Sequence, residues 1–433
     1  MNNQDNKKRV TPKLRFPKFQ TTLGWEVTQL KFICDVLQGN VFPEALQGKK
    51  SGKYPFFKVS DISRSIIDSN GHLSKAANYV DEGDVSKLKA KIIPKNSTVF
   101  AKIGEALRLN RRAYTQSECL IDNNIAALKA TGKTNDYFIY QLSQLIDLNN
   151  YFAGAVPSVN KSTLENIEIS FPEIKEQQKI ADCLSSIDEL INLREQRLTA
   201  LKQHKKGLMQ QLFPSHNDLQ ASKQASKQAI VYPKLRFPQF KDCEGWRVVR
   251  ISDLLVEKKR PVKLENETEY CLVTVKRRHG GITLREVAKG KEIKVQSQFR
   301  VFTDDFLISK RQIVHCACGV LPEELDGSIV SNEYSVLNAK ENVNITFFNY
   351  FCHQPIVEKS FLDCSSGIVI EKMLFKLDEW MKQEFYFPKN PKEQQAIADC
   401  LSSLDKLINE ENEQIGRLKD HKKGLMQQLF PNI

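Results

Sequence analysis

One stretch of this chain occurs twice, and any fold must accommodate both copies. Residues 176–214 read EQQKIADCLSSIDELINLREQRLTALKQHKKGLMQQLFP, and residues 393–431 read EQQAIADCLSSLDKLINEENEQIGRLKDHKKGLMQQLFP. The offset is constant, since 393 − 176 = 217 and 431 − 214 = 217. In the first copy Ile180, Leu184, Ile187, Ile191, Leu198, Leu201, Leu208 and Leu212 fall on steps of four and three, broken by Arg194 and Lys205. The second copy repeats the series with Ile397, Leu401, Leu404, Ile408, Ile415, Leu418, Leu425 and Leu429, broken at Glu411 and Lys422. A hydrophobic repeat of 3.5 residues makes a stripe too narrow for one helix to bury alone. The matching copy is the obvious partner. The pattern predicts two helices of roughly 38 residues, each on the order of 57 Å long, packed antiparallel as one coiled coil with a pseudo-twofold axis. In a centred register Arg194 meets Glu411. Gly207 and Gly424 lie inside the helical stretch at about 1 kcal/mol each relative to alanine, which suggests a kink or a close helix contact there.

A second repeat leads into each globular stretch. PKLRFPKF at 12–19 recurs as PKLRFPQF at 233–240, followed by Gly24-Trp25 and Gly245-Trp246. Proline every few residues keeps such a segment extended, so it lies against another element rather than folding alone. The chain is therefore two cycles of one plan: lead-in, globular domain, long helix. In the first cycle YPFFKVSDI (54–62), STVFAKI (97–103) and AALKA (126–130) are β-rich runs, and YFIYQLSQLI (137–146) has helical spacing. The second cycle offers YCLVTVK (270–276), FLISKRQIVHCAC (306–318), YSVLNA (334–339) and FFNYFCHQ (347–354) in the same order. Asp122-Asn123-Asn124 matches Ser331-Asn332-Glu333, and ENIEISFP (165–172) matches MKQEFYFP (381–388). Otherwise the two domains share little sequence, as expected of one scaffold carrying two different surfaces.

The expected class is α+β. Residues 1–172 form a first mixed α/β recognition domain with its lead-in, and 173–214 the first long helix. A polar linker follows at 215–230, with ASKQ in tandem. Residues 231–388 form the second domain with its lead-in, and 389–433 the second helix.

The formal charge of +12 points toward a polyanionic partner. No run of 18 apolar residues occurs, and the N-terminal MNNQDNKKRV lacks an apolar signal core, so a cytoplasmic protein with no membrane contact is expected. Ten cysteines without paired spacing, Cys183 and Cys400 among them, read as reduced thiols. No phosphate loop, HExxH, nucleophile elbow, glycine-rich cofactor loop or Asn/Asp-Pro-Pro-aromatic motif is present, so nothing supports an enzyme. His315-Cys316-x-Cys318 and Cys352-His353 are the Cys/His groupings that could hold zinc. Structural zinc normally uses two spaced pairs, and C-x-C on a strand turns both thiols to one face, so buried free thiols and no metal are expected.

Nucleic-acid contact is better supported. Basic residues cluster around the expected strands: Lys49, Lys50 and Lys53; Arg108, Arg111 and Arg112; Lys276, Arg277 and Arg278; Lys310 and Arg311. Arginine at a loop tip can clamp phosphate or read guanine bidentately, although any one of these residues reads equally well as solvated charge. The Lys-Arg-Arg-His-Gly-Gly turn is the strongest candidate, because its glycines allow close backbone approach.

Together these features resemble the DNA-specificity subunit of type I restriction–modification systems, over essentially the whole chain. The resemblance rests on Pro172, Glu176, Gln177, Ile180, Ala181 and Leu184, and on Pro388, Glu393, Gln394, Ile397, Ala398 and Leu401, where one extra residue follows the proline. The Gly-Trp pairs and the KGLMQQLFP ends add to it. It implies a non-catalytic subunit that binds an asymmetric bipartite site on double-stranded DNA, one half-site per domain. Two modification subunits carrying S-adenosylmethionine would methylate adenine, restriction (motor–nuclease) subunits would complete the enzyme, and this chain would bind no cofactor itself. A non-enzymatic coiled-coil scaffold with protein-binding domains is the alternative, separable by the salt dependence of DNA binding.

Overall fold

The computed structural model describes residues 8–132, 134–214 and 230–431. The tandem ASKQ stretch of the expected linker lies outside them. Two uninterrupted helices, Ile174–Leu212 and Pro391–Leu429, occupy the duplicated segments. The chain divides into two compact units, Met1–Leu198 with Glu411–Ile433, and Thr199–Glu410. That division cuts both long helices. Each unit therefore holds one globular domain, the first part of that domain's own helix and the last part of the other helix.

The first unit is built on an antiparallel sheet in the order Cys34–Gln38, Ile125–Ala130, Thr98–Ala101, Ala113–Thr115, with His72–Leu73 added in parallel at the edge. A smaller sheet pairs Tyr54–Phe57 with Asn78–Val80 and, in parallel, with Leu120–Ile121. Only the first half of the YPFFKVSDI run is strand. From Val59 the chain is helix to Ser69, because apolar Val59, Ile62 and Ile66 switch to a helical period there. Helix Asp136–Leu145 covers the main sheet and is capped by Asn135, whose side chain accepts from the Phe138 N–H.

The duplicated Glu-Gln pair explains how this domain grips its helix. Buried Glu176 takes two hydrogen bonds from Arg15 of the lead-in, at 2.9 and 2.6 Å. Gln177 is wholly buried, accepts from the Asn135 N–H at 3.0 Å and donates to the Pro172 carbonyl at 2.8 Å. The lead-in also caps the other helix: the Leu14 N–H donates to the Gln428 carbonyl at 2.9 Å. One core then joins all three parts, with Trp25 and Phe138 of the domain, Ile180 and Leu184 of the first helix, and Leu429 and Phe430 of the second. Phe430 stands edge-on to Trp25 at 5.7 Å and stacks on Phe138 at 5.3 Å.

The second unit repeats this construction. Its sheet runs Leu255–Glu257, Tyr334–Ala339, Phe306–Ser309, Cys318–Val320, and a five-stranded sheet contains the parallel pair Glu269–Val275 and Ile329–Ser331. Arg236 holds Glu393 through two bonds of 2.7 Å, Gln394 accepts from the Asn344 N–H at 2.8 Å, and the Leu235 N–H caps the Gln211 carbonyl at 2.9 Å. Phe213 packs on Trp246 and Phe347 as Phe430 does in the first unit.

Within each unit the helix segments run antiparallel. In the first, Arg194 Nη1 reaches both Glu411 oxygens at 3.2 and 3.3 Å, Arg197 joins at 3.0 Å, and Lys422 pairs with Asp188 at 2.7 Å. In the second, Lys205 pairs with Asp405 at 2.5 Å, the same pair exchanged between repeats. Tyr137 and Tyr350 donate to Asp188 and Asp405 respectively, so the polar breaks in the seam are fastened to the domains. Ile191, Ile397, Leu401, Ile408 and Ile415 are buried, while Ile187, Leu198, Leu201, Leu404 and Leu418 are partly so. Gly207 and Gly424 differ from expectation. A Cβ at either would meet nothing within 4 Å, and both helices run through them unbroken.

Candidate nucleic-acid interface

The strands Glu269–Val275 and Ile282–Lys289 pair as a hairpin whose connecting turn carries Lys276, Arg277 and Arg278. Arg278 and His279 are left-handed, with φ of +58° and +52°, and Gly281 follows at +79°. Non-glycine residues there cost of order 1 kcal/mol each and persist only where the surroundings hold them. Here the Arg278 N–H donates to the His315 carbonyl at 2.7 Å, and the His279 N–H to the Cys316 carbonyl at 2.9 Å. Gly280 is required: a Cβ would lie 2.9 Å from Lys276 Cβ and 3.0 Å from the Arg277 carbonyl.

The turn thus docks on the connection that carries Lys310 and Arg311. Arg277 Nε donates to Gln312 of that connection at 2.7 Å. Lys310 donates to the Asn332 carbonyl at 2.8 Å and Arg311 to Glu333 at 2.6 Å. The side chains of Lys276 and Arg278 are exposed and without a partner among the described residues. Five basic side chains thus lie on the turn and the connection it docks against, and Glu333 pairs with one of them.

In the first unit the candidates part company. Lys49 and Lys53 are ion-paired to Asp81 and Glu82 at the start of helix Glu82–Leu88, and Asp84 lies 3.9 Å from Lys49. Two of the three lysines are thus neutralised by carboxylates, and Lys50 has no partner among the described residues. Arg108 is exposed, 3.2 Å from Glu105, and its guanidinium lies 5.4 Å from the Phe152 ring centre. Arg111 is half-buried with its side chain free among the described residues. Arg112 leaves the candidate set. It is 4 % exposed, donates to the Ile146 carbonyl at 2.9 Å and lies over Phe100. Burial pulls its guanidinium down to about 10, still charged at neutral pH.

Superposing the strand orders shows a correspondence that the residues alone did not. The connection between Thr98–Ala101 and Ala113–Thr115 holds Arg108 and Arg111, and the equivalent one between Phe306–Ser309 and Cys318–Val320 holds Lys310 and Arg311. Each begins with a lysine directly after the strand, Lys102 or Lys310. Lys102, bonded to Gln38 and shifted down by burial, was hidden inside a run read as strand.

The sequence profile described as the type I restriction modification DNA specificity domain matches residues 22–203 and again 243–417. The chain belongs to this family. A protein of Methanocaldococcus jannaschii provisionally named as the type I restriction enzyme MjaX specificity subunit is 25% identical over 429 residues, covering 94% of this chain and 92% of that one. The EcoR124I/EcoR124II specificity subunit of Escherichia coli is 24% identical over 149 residues, 33% of this chain and 35% of that one. Among solved structures, the S subunit of a type I restriction–modification system from M. genitalium matches with a TM-score of 0.61 at 13% identity, over 98% of this chain and 100% of that one, a likeness of fold. Membership assigns this specificity subunit to DNA sequence recognition, not to catalysis. Among the described residues no helix is long and apolar enough to cross a membrane.

Proposed function

We infer that the chain reads an asymmetric bipartite site on duplex DNA in the cytoplasm, one half-site per domain, and docks two modification subunits. Those subunits bring S-adenosylmethionine and methylate adenine, and motor–nuclease subunits complete the restriction enzyme. The chain itself contributes binding and orientation. The observation that carries this reading is the shared strand connection bearing different basic residues in the two domains: Arg108 and Arg111 in one, Lys310 and Arg311 in the other, where the Lys276–Arg278 turn docks against it. Equivalent placement suits one DNA backbone, and different side chains suit two different half-sites.

Lys50, Lys276, Arg277, Arg278 and Arg311 are exposed candidate contacts, and the arginines among them can reach guanine O6 and N7 or a phosphate pair. Titrating the chain, assembled with its modification subunits, against duplex DNA over a range of salt tests this. Log affinity should fall linearly with log salt, by about 0.9 per phosphate neutralised. Affinity independent of salt would instead support globular domains that bind proteins.

A further inference from the structure

Beneath the Lys276–Gly281 turn, three segments of the second unit bring an imidazole, a thiol and a carboxylate together. The turn supplies His279, the connection ahead of strand Cys318–Val320 supplies Cys316, and helix Pro355–Asp363 supplies Glu358. One donor atom from each lies within 4.8 Å of the other two. His279 Nε2 is 2.9 Å from Glu358 Oε1, while Nδ1, the other ring nitrogen, stands 3.8 Å from Cys318 Sγ. The His353 ring stacks on that of His279 with centres 3.8 Å apart, which fixes the imidazole plane. His279 and Cys316 are both left-handed, at φ +52° and +56°, and the His279 N–H donates to the Cys316 carbonyl at 2.9 Å. Two strained non-glycine residues, bonded to each other, therefore hold their side chains beside one carboxylate, and such strain gathers where a ligand is clamped.

We propose that His279 Nε2, the Cys316 thiolate and a Glu358 carboxylate oxygen bind one zinc-type divalent ion, with a fourth position left to water. Imidazole nitrogen, thiolate and carboxylate oxygen are all zinc ligands, and three protein donors beside an open position are a recognised zinc arrangement. The thiolate sets the site apart from magnesium and calcium, which take oxygen. On a tetrahedral ion with arms of about 2.0–2.3 Å, ligand atoms stand roughly 3.3–3.6 Å apart. The 2.9 Å pair must open slightly, and the other separations, none above 4.8 Å, must close by about 1 Å at most, within reach of rotation about the Cys316 and Glu358 side-chain bonds. A metal-bound histidine usually donates its second ring N–H to a fixed acceptor, and Cys318 Sγ lies opposite Nδ1 to take it. A hydrogen-bonded His279–Glu358 pair alone explains the 2.9 Å contact, but not the thiol held beside it by a left-handed backbone. The Glu358 side chain is 38% exposed, so an ion reaches the site from solvent. As the metal binds, Cys316 gives up its thiol proton and the proton shared by His279 and Glu358 leaves for water.

Cys316 departs from the strand geometry expected of C-x-C. It stands half-buried ahead of strand Cys318–Val320, whereas Cys318 is buried within that strand and stays outside the ligand set. The sequence lacked a second spaced pair, and the hairpin turn and a helix supply the missing donors. A bound ion would tie that turn to the connection carrying Lys310 and Arg311 and to helix Pro355–Asp363, giving Arg277 and Arg278 a fixed mount.

Metal binding needs no DNA, so its failure is separate from any failure of the DNA reading. The full chain, kept reduced, stripped with chelator and then freed of it, should take up about one Zn²⁺ in calorimetric titration, with release of protons. With Co²⁺ instead it should show thiolate-to-cobalt charge-transfer absorption, a measurement on the unaltered chain that depends on no variant folding. Cys316→Ser should lose both the ion and that absorption, and Glu358→Gln should lose the ion. Cys318→Ser, which changes only the acceptor facing Nδ1, should keep the absorption with about 10–100-fold weaker affinity. A chain that takes up neither zinc nor cobalt overturns the proposal. So does a Cys316→Ser or Glu358→Gln variant that keeps wild-type zinc affinity, or an absorption that survives Cys316→Ser and is lost in Cys318→Ser.

Discussion

Arg278 and Arg112 were indistinguishable as letters in basic runs, and the fold gives them opposite tasks. Arg278 is exposed at a turn tip with no partner among the described residues, whereas Arg112 spans the space between Phe100 and the Ile146 carbonyl. Arg278→Ala or Arg277→Ala should therefore weaken DNA binding while leaving thermal unfolding unchanged. A lost base contact should cost about 1–3 kcal/mol at one position, and a lost phosphate contact should flatten the salt slope by about one unit. Arg112→Ala should lower stability by about 2–4 kcal/mol in denaturant unfolding and leave base preference intact. The basic runs were legible from sequence, but which side chains face solvent was not. Lys49 and Lys53 meet carboxylates 32 and 29 residues away, a distance no local pattern reports. His279 and Glu358, 2.9 Å apart in the fold, are likewise separated by 79 residues.

The long helices were the most legible elements, because two copies in one register specify both the seam and its interruptions. Positions 194 and 411 are equivalent in the repeat, so antiparallel pairing sets each against its own counterpart. Identical charges there would repel, and the chain has Arg194 facing Glu411. Arg194→Glu should destabilise by about 1–3 kcal/mol, with Glu411→Arg restoring much of that in the double variant. A thermodynamic cycle by calorimetry showing no coupling would reject this register. Gly207 and Gly424 were misread, because a helical glycine suggests close packing and the space beside each is open. Gly207→Ala and Gly424→Ala should each stabilise by about 1 kcal/mol. The role of the PKLRFP lead-in was only half legible. Proline made it extended, but its partner Glu176 lies 161 residues beyond Arg15. Removing one member of that buried pair by Glu176→Ala should cost about 3–5 kcal/mol.

At the scale of the whole molecule, two cycles of lead-in, domain and helix imply a reader of two half-sites with a fixed spacing. A helix has a fixed hydrogen-bonded rise, so its length can set a spacing. One heptad inserted into both helices adds about 10 Å, roughly three base-pair steps, and should lengthen the preferred spacer or abolish tight binding. Deleting one ASKQ unit should leave the spacer unchanged. The two-domain plan was plain in the sequence because it is repeated, while the sharing of each unit between both helices required the folded core around Phe430 and Phe213. Methylome sequencing of cells expressing the chain with its modification subunits tests the reading of two independent half-sites most directly. The wild type should yield two specified half-sites around an unspecified gap, and the Arg277→Ala/Arg278→Ala variant should change or relax one half while keeping the other and the gap. A contiguous motif, or loss of discrimination in both halves, would contradict one half-site per domain.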